Sequence, residues 1–153
     1  MMPTISFTVP AVPIAQPRQR VTSIGGKPRT YTPTSAPVNA YKVAVQVAFQ
    51  AICGGELPPD GAVVLGCAFI LPRPQRLIWK TRPMPREPHT GRPDLDNLLK
   101  STTDSLEKLA WSNDSKVYRY ADGTGKWVAS GDEQPHVEVT ITYEFTNPTR
   151  RLP

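Results

Sequence analysis

Apolar and polar residues alternate along two stretches of the chain: Ile5, Phe7 and Val9, and much later Val137, Val139, Ile141, Tyr143 and Phe145. A period of two predicts a strand with one buried face at each place. From Val38 to Leu57 the spacing becomes helical, with Tyr41, Ala44, Val45, Ala48, Phe49 and Ile52 on one side, Ser35 as candidate N-cap and Gly54-Gly55 as the stop. The run Ala62-Val63-Val64-Leu65-Gly66-Cys67-Ala68-Phe69-Ile70 is apolar throughout and bounded by turn residues, as in a central strand buried on both faces. Leu95, Leu98, Leu99, Thr102, Leu106 and Leu109 then mark a second helical face. Val117-Tyr118-Arg119-Tyr120 reads as a short strand, and Asp122-Gly123-Thr124-Gly125 as a hairpin turn before Lys126-Trp127-Val128. The predicted fold class is α+β: one small domain in which a mixed β-sheet packs against two main helices.

Composition narrows the picture. The chain has 153 residues and 18 prolines, well above the usual share of about 5%, and the prolines confine regular structure to the windows above. The length predicts one domain, placed at 1–146 with a tail at 147–153, and suffices for a core without disulfides or structural metal. Cys53 and Cys67 lie in apolar surroundings without CxxC or Cys/His spacing, which argues for buried free thiols and a reducing compartment rather than a zinc site. No apolar run approaches the roughly 18 residues of a membrane helix, and Met1-Met2-Pro3-Thr4-Ile5 lacks a signal-peptide pattern. A soluble cytoplasmic protein is the expectation.

Eighteen Lys and Arg against thirteen Asp and Glu give a net charge of +5, and the excess is concentrated. Arg18, Arg20, Lys27 and Arg29 surround Gly25-Gly26, while Arg73, Arg76, Lys80, Arg82, Arg86 and Arg92 fill a proline-rich connection that holds one acid, Glu87. Such clusters favour a polyanion as partner. Arg18, Arg20, Lys27, Arg29, Arg76, Lys80 and Arg82 are therefore candidate phosphate contacts.

Against this background the stretch Arg92-Pro93-Asp94-Leu95-Asp96-Asn97-Leu98-Leu99-Lys100 stands out, followed by Asn113-Asp114. Asp96 and Lys100 are four apart and share a helix face, with Asp94 at the helix start. Hard divalent cations take oxygen ligands, and Mg²⁺ commonly keeps one or two carboxylates beside water and phosphate oxygens. Asp94, Asp96 and Asp114 together would suffice, provided Asp114 returns along the strand that follows a helix about 20 Å long. Spacing alone allows Asp94 as an N-cap and favours Asp96 with Lys100 as an ordinary ion pair and Asp114 as a turn residue. Asp104 and Lys108 read as solvated surface. Trp79 and Tyr31 are candidates for stacking on bases, although packing is the commoner role for them, as for Trp111 and Trp127. His89 reads as an exposed loop residue, and His136 carries no signal.

In order and spacing, the Arg92–Lys100 stretch, Asp104-Ser105-Leu106 and Asn113-Asp114-Ser115-Lys116-Val117 resemble the signature of RusA-type Holliday junction resolvases. The likeness extends upstream to Pro17-Arg18-Gln19-Arg20-Val21-Thr22 and Tyr31-Thr32-Pro33, and downstream to Lys126 and the last strand. It implies a homodimeric, Mg²⁺-dependent endonuclease, with Mn²⁺ as a substitute metal, that nicks four-way DNA junctions symmetrically in recombination and repair. Carried over by position, Asp94, Asp96 and Asp114 match the metal-binding acids and Lys100 the functional lysine. Asn113 departs from the pattern, since many relatives carry a second acid there. The length and composition of the proline-rich loop from Pro72 to Pro93 vary among relatives, so its DNA role is inferred from charge alone. The competing expectation is a structure-selective DNA-binding module whose acids do not cut; divalent-metal dependence of product formation separates the two.

Overall fold

The computed structural model describes residues 3–17, 20–31 and 36–144. Within them the chain runs through β1 (Thr4–Val9), β2 (Arg20–Ile24), β3 (Lys27–Tyr31), α1 (Pro37–Cys53), β4 (Ala62–Leu71), β5 (Glu87–Pro88), α2 (Leu95–Leu106), β6 (Val117–Tyr120), β7 (Gly125–Val128) and β8 (His136–Glu144). Short 3-10 turns at Gln75–Leu77 and Asp114–Lys116 interrupt the longer connections. A six-stranded mixed sheet runs β1-β8-β4-β7-β5, with β6 also on β4. β1 and β4 flank β8 antiparallel, whereas β6 and β7 pair with β4 in parallel. The α+β architecture with two main helices is the one the apolar spacing predicts.

The alternation in β8 places Val137, Val139, Ile141 and Tyr143 in the core with Phe7 and Val9 of β1 and Val63, Leu65, Cys67, Phe69 and Leu71 of β4. Val64 and Ile70 of β4 are buried as well, as the continuous apolar run requires. α1 and α2 cover the core face. Tyr41, Val45 and Phe49 meet Leu98, Leu99 and Leu106, and the Tyr41 hydroxyl lies 2.8 Å from that of Thr102. Ser101, Thr102 and Ser105 are buried in α2, and each hydroxyl donates to a backbone carbonyl, so no polar atom of theirs is stranded.

Several predicted boundaries move. α1 begins after Ala36, with Pro37 in its first turn; Ser35, the expected cap, lies outside the described residues. Gly54 ends it at φ 57°, as anticipated, but Ile52 is exposed rather than in the core. α2 stops at Leu106, short of Leu109: Lys108 turns the chain at φ 70°, and its amide donates to the Trp111 carbonyl at 2.7 Å. β6 and β7 do not form the expected hairpin. They lie one after the other along the same edge of β4, β6 beside Val63–Leu65 and β7 beside Ala68–Leu71. Gly66 permits the crossing, because a Cβ there would sit 3.3 Å from Cβ of Ala121. Phe145 and the predicted tail at 147–153 lie outside the described residues.

The basic segment around Gly25-Gly26 is not a loop but a two-stranded antiparallel hairpin separate from the main sheet. Its two turn glycines have φ of 61° and 78°, a region that favours glycine. Both cysteines are free; burial pushes the Cys67 thiol up to about 12, which makes it an inert core group. No described helix is long and apolar enough to cross a membrane.

Candidate active site

The acids approach the surface where α2 begins. Asp94 holds the N-cap position in extended conformation, yet its side chain makes no capping hydrogen bond, so the capping role allowed by spacing is not taken up. Its carbonyl starts the helix by accepting from the Leu98 amide at 3.2 Å. Arg92, Pro93, Asp94 and Asn97 line an open groove of about 460 Å³. Asp94 and Asp96 are both exposed, and neither has an ion pair with any described residue. Two unpartnered carboxylates at a helix N-terminus sit where the helix dipole favours negative charge.

Lys100 is one turn further on and exposed, and it leans toward Asp104 at 3.7 Å rather than toward Asp96. Lys42 of α1 approaches the same Asp104 oxygen at 4.0 Å. Asp104 is therefore not the simple solvated position its place on the polar stripe suggests: it gathers an ammonium from each helix. Lys108 does remain exposed, donating to the Ser112 carbonyl at 2.8 Å.

Asp114 lies in the 3-10 turn before β6 and not at the start of α2. The indole N–H of buried Trp111 donates to its Oδ1 at 2.8 Å, so this packing residue also orients an acid. Burial pushes the Asp114 carboxyl above its ordinary pKa, the Trp111 bond opposes that, and Glu107 and Asp104 add to the rise. These neighbours belong to the C-terminal end of α2. Among the described residues no three acidic, histidine or cysteine side chains stand close enough to hold a metal ion. The donor set has the hard-oxygen chemistry that Mg²⁺ requires, but Asp94 and Asp96 are not gathered with Asp114.

Two features invisible in the sequence frame the groove. Gln16, at the root of the basic hairpin, donates its amide to the Asn97 carbonyl at 3.0 Å, and the Ser101 hydroxyl donates to the Ile14 carbonyl at 2.6 Å. The chain leading to the hairpin is thus fastened to the first turns of α2. On the opposite flank Lys126 of β7 donates to the carbonyls of Gly91 and Pro93, the latter at 2.7 Å. His89 is half-buried rather than exposed: its amide bonds the Lys126 carbonyl at 3.1 Å, and burial followed by the Lys126 charge holds its pKa below the ordinary value.

A family model for endodeoxyribonuclease RusA matches residues 10–142 of the 153, from the end of β1 almost to the end of β8. The chain belongs to the RusA endodeoxyribonuclease family. No curated protein matches it. The RusA match spans the groove, both helices and both basic segments, and it sets the coarse activity as that of a nuclease family whose members act on Holliday junctions. Of the candidate phosphate contacts, Lys27, Arg29, Arg76, Lys80 and Arg82 are exposed. Arg82 lies over the Trp79 ring at 4.2 Å from its centroid, with Arg73 also near that ring at 5.1 Å, so Trp79 is a shelf for guanidinium groups rather than a bare stacking surface. Arg18 lies outside the described residues, and only the backbone of Arg20 and Tyr31, in β2 and β3, is described.

Proposed function

We propose that this protein is a Mg²⁺-dependent, structure-selective endodeoxyribonuclease that resolves four-way DNA junctions by paired symmetric nicks, working as a homodimer in the cytoplasm during recombination and repair. The observation that carries the reading is a pair of exposed carboxylates with no ion pair among the described residues: Asp94, which lines a groove with Arg92, Pro93 and Asn97, and Asp96 in the first turn of the helix that follows, whose Asn97 carbonyl holds the Gln16 backbone amide. A carboxylate pair left free beside cations suits a nucleic-acid nuclease better than a passive phosphate-binding surface, where acids would repel the ligand. Paired incisions in a substrate of approximate two-fold symmetry are most simply made by a two-fold dimer.

Asp94 and Asp96 are the proposed primary metal ligands and Asp114 the third, with Mn²⁺ able to replace Mg²⁺. A divalent ion, when bound, supplies an activated water and neutralises charge on the phosphate oxygens. Among the described residues these three acids do not stand close enough together to hold an ion as they are placed. Lys100, exposed and held among the described residues by a long ion pair to Asp104, is free to turn to a phosphate and stabilise charge that grows there. Lys27, Arg29, Arg76, Lys80 and Arg82, with Arg18 and Arg20, supply phosphate contacts that give affinity without reading sequence.

The test sets purified protein with Mg²⁺ or Mn²⁺ against four-way junction, fork, duplex and single-stranded DNA. Symmetric nicks in the junction, lost in Asp96→Asn with binding kept, are expected; an Asp96→Asn protein that cuts normally overturns the site. The second reading, a binding module that does not cut, is favoured by the described residues bringing no three acids close enough together to hold a metal ion. It requires shifted junction DNA and no nicks with either metal.

A further inference from the structure

Lys126 is an unusual residue to find on an inner strand. β7 lies between β4 and β5, and the Lys126 ammonium has no carboxylate partner among the described residues; it donates instead to two backbone carbonyls, those of Gly91 and Pro93. Its own carbonyl accepts the His89 amide at 3.1 Å. Residue 126 therefore holds the segment from 89 to 93 at three points, through main chain and side chain together.

That segment needs such a tie. Pro93 has no N–H to donate, and β5 ends at Pro88, after pairing only Glu87 and Pro88 with β7. Beyond His89 no ladder continues, and the next regular backbone bond is the first of α2, from the Leu98 amide to the Asp94 carbonyl. An ammonium offers three donors on a long stem and can gather carbonyls that no strand reaches. A methionine of similar length would pack in the same place without desolvating a charge, so stability alone does not account for a lysine here. The two carbonyls it holds bracket Arg92, and the second is bonded directly to Asp94; all of these except Gly91 line the groove.

We infer that Lys126 is a positioning residue that fixes Arg92 and Asp94 on the groove by clamping the Gly91 and Pro93 carbonyls to the sheet. Its importance for nicking rests on the proposed function; the clamp itself does not. Two measurements therefore separate the claims. In Lys126→Met, hydrogen exchange of the amides of residues 98–100, which bond back to the start of α2, is expected to accelerate at least 10-fold while α1 and β8 exchange as in the wild type. The nicking rate at saturating four-way junction should fall at least 10-fold, with junction affinity in the absence of divalent ions within twofold of the wild type and an unchanged unfolding midpoint. Lys126→Arg, which keeps donors, should recover part of both the protection and the rate. Should Lys126→Met fail to fold, Lys126→Ala, which likewise removes the donors, carries the same comparison. Unchanged exchange over 98–100, or a uniform loss of protection across the protein, overturns the inference. A wild-type protein that nicks no branched DNA overturns the proposed function, and the exchange comparison still decides the clamp.

Discussion

The hairpin β2–β3 and the arm from Pro72 to Pro93 are alike in composition, both basic and both free of long apolar runs, yet they use their charge differently. In the hairpin, Lys27 and Arg29 are exposed and have no ion pair among the described residues. In the arm, Arg73 is nearly enclosed: it donates to the carbonyls of Leu77, Pro85 and Ala129 and lies 3.7 Å from Glu87. Arg86 is bound to Glu133 by paired hydrogen bonds and reaches Glu138 at 2.8 Å. Arg82 covers Trp79. A prolyl segment that cannot build a ladder is held instead by guanidinium groups, whose fork of donors reaches several carbonyls at once. Formal charge counted along a sequence is thus a poor guide to charge available for a ligand.

The most severe way to break this contrast is Arg73→Met, which leaves the carbonyls of Leu77, Pro85 and Ala129, the last of them buried, without their donor. We expect a loss of about 2–4 kcal/mol in denaturant unfolding, whereas Lys27→Ala combined with Arg29→Ala should stay within about 0.5 kcal/mol of the wild type. Equal losses would mean that the two segments are held alike. DNA binding sharpens the contrast from the other side. Removing Lys27 and Arg29 should reduce the slope of log affinity against log salt by about 2, one unit for each phosphate contact. The pair Lys80→Ala and Arg82→Ala should reduce it by about 1, because Arg82 already lies against Trp79. Identical slopes in titrations of a four-way junction would show that the stacked guanidinium still reaches a phosphate.

The smallest expected effect is in pH. Arg86 pulls the Glu133 carboxyl down to about 2, so its contribution is present in full above the ordinary carboxylate value near 4.5 and is lost as pH falls toward 2. Glu133→Gln should therefore destabilise the protein at pH 7 by less than about 1 kcal/mol, since both partners are partly exposed. The difference should shrink at pH 3. Denaturation at the two pH values checks it, and a difference that grows on acidification would reverse the sign.

Much of the fold was legible because it follows from local spacing. β1, β8 and α1 sit where period-two or period-3.6 apolar patterns place them, β4 sits where the unbroken apolar run places it, and Gly54 ends α1 because a left-handed C-cap favours glycine. The end of α2 was not legible: a lysine, Lys108, takes the left-handed conformation there and leaves no glycine to announce it. Neither was the strand character of the basic hairpin, since Val21, Ile24 and Tyr31 are too sparse among polar residues to show an alternating face. β6 and β7 were misread as a hairpin because a Gly-rich turn between two short β-branched runs carries the same local signal whether the chain reverses or steps along one neighbour.

The candidate site divides in the same way. The Asp94, Asp96 and Lys100 positions and their family signature stand in the sequence, because residues close together on one helix start are related by covalent spacing. Everything that depends on distant segments was settled by tertiary structure: Asp104 drawing Lys42 and Lys100 together, Trp111 orienting Asp114, Gln16 fastening the hairpin root to Asn97, and Lys126 clamping the carbonyls before Asp94. Those contacts join residues from 3 to more than 80 positions apart, and their geometry is fixed by sheet register and helix packing, which no local pattern encodes. The sequence by itself determined which residues were available for chemistry, while the tertiary structure alone decided which of them meet.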